Sequence, residues 1–88
     1  MSRQRAMADV MASEYVSIGE LARITEMRYS TLKHYTESGI LPFEQEDENL
    51  TRRYRREESV VRLEQINQLK ATGLSIKEIS TRLADGNV

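Results

Sequence analysis

The chain has no cysteine, one histidine and one proline among its 88 residues. Without thiols there is no disulfide, no thiolate metal centre and no thiol redox sensor, in keeping with a reducing interior. The lone histidine, His34, has no cysteine or second histidine beside it to complete the three or four nitrogen and sulfur ligands of a zinc site, so it reads as a helix-surface residue. No apolar run approaches the roughly 20 residues that cross a bilayer, and Met1-Ser2-Arg3-Gln4-Arg5 leads into no apolar stretch of signal-peptide length. A cytoplasmic protein without membrane contact is expected. Glycine-rich phosphate loops, dinucleotide fingerprints and nucleophile elbows are also missing. No catalytic residue, metal or cofactor is therefore expected, and so short a chain leaves no room for a separate catalytic domain.

An excess of positive charge is lacking too, since the net charge is −1. Its distribution is uneven. Glu44, Glu46, Asp47 and Glu48 are followed at once by Arg52, Arg53, Arg55 and Arg56, and the two blocks cancel only in the total. Because screening acts over about 8 to 10 Å at physiological salt, a local arginine cluster can face phosphates while acids point elsewhere. The acidic run lacks the spaced ligands and central glycine of a calcium loop and reads as solvated. Four guanidiniums in five positions repel one another unless anions are near, either the phosphates of a nucleic acid or Glu44 to Glu48 across a hairpin. Strand alternation would place Arg53 and Arg55 on one face and Arg52, Tyr54 and Arg56 on the other.

Helical signals bracket this region. Ser17 with Glu20 three positions later is a capping box, and Ile18, Leu21 and Ala22 then recur at helical spacing, which predicts a helix over Ile18–Thr25. After Glu26-Met27-Arg28 a second helix is expected over Tyr29–Ser38, with Leu32 and Tyr35 on one face and Tyr29, Ser30, Lys33, His34 and Glu37 on the other. Gly39 stops it, Ile40 and Leu41 return to the core, and Pro42 prevents a restart. Residues 43–54 are expected to form a two-stranded hairpin. Val60, Leu63, Ile66 and Leu69, with Val61 widening the stripe, predict a helix over Glu57–Thr72. Ser75 and Glu78 repeat the capping box of a last helix that buries Ile76, Ile79 and Leu83 and closes at Gly86. The stretch Met1–Glu14, in which Met7, Val10 and Met11 share a helical face, is expected to be flexible or partly helical.

The fold class implied is mainly α: a winged helix-turn-helix with a small two-stranded wing and two further helices, over residues 15–85. Such a module presents one helix to the major groove and its wing to the adjacent backbone. In order and spacing, Tyr15-Val16-Ser17-Ile18-Gly19-Glu20-Leu21-Ala22, Thr31-Leu32-Lys33-His34-Tyr35, Gly39-Ile40-Leu41-Pro42, Arg52-Arg53-Tyr54 and Leu69 to Ile79 resemble the DNA-binding domain of the MerR family of bacterial transcription regulators. The family usually carries an arginine, two tyrosines and a glutamate where this chain has Lys33, His34, Tyr35 and Thr36. It also tends to place glycine and serine where Glu26 and Arg28 stand, and glycine-tyrosine where Leu50-Thr51 stands. The resemblance implies that Tyr29, Ser30, Lys33 and His34 face the groove, that Arg28 and Tyr35 face the backbone, and that Arg52, Arg53 and Arg55 act from the wing.

Family members that sense metals or drugs continue into a coiled coil and an effector region, so the chain is expected to be either a fragment of a longer regulator or a short member. A short member would need cooperative assembly on DNA, or self-association through Met7, Val10 and Met11. The expected partner is double-stranded DNA and the expected role transcription regulation. Two rivals are an excisionase-like or plasmid-maintenance architectural factor, and a protein-interaction adaptor that has lost DNA binding.

Overall fold

In the computed structural model, which describes residues 5–85, the elements follow one another as α1 (Met7–Ala12), β1 (Tyr15–Val16), α2 (Ile18–Thr25), α3 (Tyr29–Glu37), β2 (Tyr54–Arg55), α4 (Arg56–Ala71) and α5 (Ile76–Ala84). Both capping boxes form. Ser17 Oγ accepts from the Glu20 amide at 3.1 Å while the Ser17 amide donates to Glu20 Oε1 at 2.9 Å, and Ser75 and Glu78 repeat the exchange at 3.2 and 2.9 Å. Each box satisfies two amides that a helix start leaves without partners, so α2 and α5 begin where the sequence places them. The expected closure at Gly86 lies outside the described residues.

Helix α3 ends at Glu37, with Ser38 as its cap and Gly39 in the left-handed region at φ 82°. The Gly39 amide then reaches the Thr36 carbonyl and the Ile40 amide the Tyr35 carbonyl, both at 3.1 Å. This double bond pattern turns the chain sharply enough to drop Ile40 and Leu41 into the core. The turn between α2 and α3 has no glycine. Glu26 occupies the left-handed region itself, at φ 57°, and caps the C-terminus of α2.

The core is built by Leu21, Leu32, Tyr35, Ile40, Leu41, Tyr54, Leu63, Ile66 and Ile79, joined by Val10 and Val16. Val61 does not widen the α4 stripe: it is 53 % exposed, because the core lies on the side of Leu63 and Ile66 and the far flank is left open among the described residues. Val10 likewise leaves the face it was expected to share with Met7 and Met11. It is fully buried, since α1 folds back onto the core, whereas the two methionines are 39 and 45 % exposed.

The wing is tied in two directions. At its base Glu44 and Arg53 exchange backbone hydrogen bonds of 2.7 and 2.8 Å in a single antiparallel bridge. Beyond that bridge Tyr54–Arg55 pairs instead with Tyr15–Val16, in the register Tyr15↔Arg55 and Val16↔Tyr54. The segment ahead of α2 thus completes the sheet. Burial alternates along β2, with Tyr54 inside and Arg55 outside.

Left-handed backbone costs a side chain about 1 kcal/mol or more, while glycine adopts it freely but is looser when unfolded. Glu26→Gly is therefore expected to stabilise the fold by about 0.5 to 1 kcal/mol, read as a thermal midpoint several degrees higher.

Candidate nucleic-acid interface

The outward face of α3 follows from its periodicity. Leu32, Tyr35 and Thr36 are buried, and Tyr29, Ser30, Lys33, His34 and Glu37 are exposed on the other side, with Arg28 exposed just ahead of the helix. Arg28 makes no side-chain cap bond. Among the described residues neither Arg28 nor Lys33 forms an ion pair. Tyr35 is 2 % exposed and belongs to the hydrophobic core, on the face it shares with Leu32 three residues earlier, as its spacing predicts. The backbone-facing role that the resemblance implies for it is corrected to a packing role.

Thr36 is the residue whose importance was not visible in the pattern. Its hydroxyl donates to the Leu32 carbonyl at 2.8 Å, so its only proton is committed and the Tyr54 hydroxyl, 2.9 Å away, must donate to it. Both groups are buried and satisfied. The bond joins α3 directly to the strand that leads out of the wing.

The arginine cluster is sorted into separate environments. Arg52 lies over the Phe43 ring at 4.8 Å and makes no ion pair among the described residues. Arg53 and Arg55 emerge on the opposite face, as alternation requires, and both rest on the Tyr15 ring, at 5.1 and 5.5 Å. Arg53 also meets Glu46 at 3.4 Å. Arg55 is held more firmly, with Nε 2.9 Å from Glu44 and Nη1 3.9 Å from both Glu14 and Glu58. Arg55 and then the Tyr15 hydroxyl keep the Glu44 carboxyl below its ordinary pKa, and the same carboxylate raises the Arg55 guanidinium and the Tyr15 phenol. Arg56 is structural: it is largely covered, and its Nε donates to the Ser13 carbonyl at 2.9 Å. Pairing with the acidic run therefore accounts for Arg53 and Arg55 in part, and leaves Arg52 available.

A second unforeseen contact braces α2 from outside. Arg5 forks onto Glu20 at 2.6 and 2.8 Å and also reaches Ser13 Oγ at 2.8 Å, while Arg23 donates to the Arg5 carbonyl at 3.0 Å. Glu20 is thus shared between its capping box and Arg5. The guanidinium, opposed by burial and helped by Ser17, lowers its carboxyl from 4.5 to about 2. A single arginine this far from α2 gives no periodic signal, so only the folded chain reveals it.

Two helices joined by a tight turn, the second with an open polar face, and a wing fastened beside it define a winged helix-turn-helix. The family model described as MerR HTH family regulatory protein matches residues 16–85, and the chain belongs to that family of DNA-binding regulators. It is 41 % identical over 69 residues to nodulation protein NolA of Bradyrhizobium sp. (strain NC92), covering 78 % of this chain and 28 % of that protein. It is 42 % identical over 62 residues to nodulation protein NolA of Bradyrhizobium elkanii, covering 70 % and 28 %. The chain thus spans little more than a quarter of the length of these relatives. No solved structure matches. Among the described residues no helix is long and apolar enough to cross a membrane.

A carboxylate whose pKa is depressed in the folded state stabilises above its unfolded pKa and loses that contribution as pH falls through the folded value. Arg5→Ala should therefore lower the thermal midpoint at neutral pH, and the gap from the native chain should close as pH falls from 4.5 towards about 2, the range over which Glu20 becomes protonated. Thermal unfolding across that range measures it.

Proposed function

We propose that this chain is the operator-reading module of a transcription regulator, with α3 in the major groove and the wing on the adjacent backbone. Ser30, Lys33 and His34 face the bases, with Tyr29 beside them at the start of the helix. Arg28 reaches a phosphate there, next to the helix N-terminus, whose exposed amides favour anions. Arg52 and Arg53 grip the backbone from the wing, and Arg55, enclosed by carboxylates, serves chiefly to hold Glu44 and Tyr15 in place. The observation that carries this reading is the open, polar face of α3, whose buried side is tied through Thr36 to the wing strand.

Phosphate contacts from arginine release counterions, so each contributes about 0.9 to the slope of log affinity against log salt. Replacing both Arg52 and Arg53 by alanine should weaken duplex binding and flatten that slope by about 1 to 2, with folding unchanged. Unaltered affinity and slope would instead favour the adaptor reading, which the carboxylate pairing of Arg53 and Arg55 supports.

Lys33→Ala distinguishes the two things a lysine can touch. If Lys33 reads a base edge, discrimination at one operator position should fall by about 1 to 3 kcal/mol; a phosphate contact would weaken all sequences alike. Binding to single-base operator variants measures the difference. Footprinting on promoter sequence against recombination or partition sites separates a regulator from an architectural factor.

A further inference from the structure

Phe43 is a large apolar side chain left 38 % exposed, at the edge of the core. Two neighbours account for its place. One face carries the Arg52 guanidinium at 4.8 Å, and the ring leans on Tyr54 with centroids 6.3 Å apart and planes at 47°. Tyr54 is fully buried, and its hydroxyl ends on Thr36 of α3. Thr36, Tyr54, Phe43 and Arg52 therefore form an unbroken line from the underside of α3 to a cation on the wing surface.

We propose that Thr36, Tyr54 and Phe43 are positioning residues that place the Arg52 guanidinium relative to α3, so that helix and wing meet a duplex in one register. The inference rests on the DNA-binding reading above. Arginine is rich in rotamers, and ordering it on a phosphate costs affinity unless the free protein already restricts it. An aromatic face supplies that restriction without neutralising the charge, unlike the carboxylates that hold Arg55. The ring in turn stays put only if its own support cannot slide. The hydroxyl of Tyr54 pins that support to α3 at a buried point, where loss of the bond is not repaired by water.

A double-mutant cycle tests this on the whole 88-residue chain, with a duplex selected by the native chain from a randomised pool. Tyr54→Phe keeps the ring and removes only the hydroxyl. It should weaken binding about 2- to 10-fold in the native background and leave it nearly unchanged in the Arg52→Ala background, because the lost positioning acts through that one cation. Thr36→Val should behave like Tyr54→Phe, and Thr36→Ser should retain native affinity. Phe43→Leu, made at the surface, runs the same cycle if Tyr54→Phe unfolds, with about a 2- to 5-fold loss that again vanishes without Arg52. Equal losses in both backgrounds, or none in either, overturn the brace while leaving DNA binding intact. A native chain that binds no duplex in low salt overturns the DNA-binding reading, and the brace with it.

Discussion

The hydrogen bond between Thr36 and Tyr54 is the constraint on which the arrangement of helix and wing depends. It is the point at which a side chain of α3 and a side chain of the wing strand, separated by a long polar loop, meet inside the core. A buried hydroxyl without a partner is costly, and among the described residues the Tyr54 hydroxyl has no partner but Thr36, so Thr36, itself held by the Leu32 carbonyl, fixes where that hydroxyl must lie. Val16 pairs with Tyr54 across the short sheet, and Leu32 accepts the proton of Thr36. The first strand, the candidate recognition helix and the wing are consequently one packing problem. The glutamate that the MerR family usually carries at the position of Thr36 would bring a charge to a site that here is closed.

Charge is handled by the same local logic. A net charge of −1 says little about a surface on which one guanidinium lies on an aromatic ring, another is surrounded by carboxylates and a third is covered by backbone. Arg52, Arg55 and Arg56 are neighbours in sequence and have unrelated environments in space. Pairing at the surface contributes little energy, so the acids around Arg53 and Arg55 matter more for where those cations are held than for stability.

Much of the frame was legible in advance because its signals are local. A serine three residues ahead of a glutamate, a glycine after a helical stripe and the spacing of Leu63, Ile66 and Leu69 each describe interactions within one or two turns. Both faces of α3 are legible for the same reason, and helical phase sets Tyr35 beside Leu32. The backbone-facing role implied for Tyr35 by the resemblance fails, because burial of a large ring outweighs exposure of one hydroxyl. The pairing of Tyr54–Arg55 with Tyr15–Val16, in place of a longer ladder within residues 43–54, leaves no sequence signal because two-residue strands have no periodicity to detect. Glu26 was recognised as a departure from the usual glycine, yet only backbone geometry shows that it accepts the left-handed turn rather than altering it.

Composition and short-range pattern were thus enough to place the helices α2 to α5 and their starts, and to imply a winged helix-turn-helix, since hydrogen bonds and side-chain neighbours within a helix are set by residues a few positions apart. Which arginines remain available, what Thr36 does, and how Arg5 and Val10 fold back onto the domain were decided by the assembled core. Those contacts join residues that are distant along the chain, and they exist only once the helices have brought them within hydrogen-bonding or van der Waals reach.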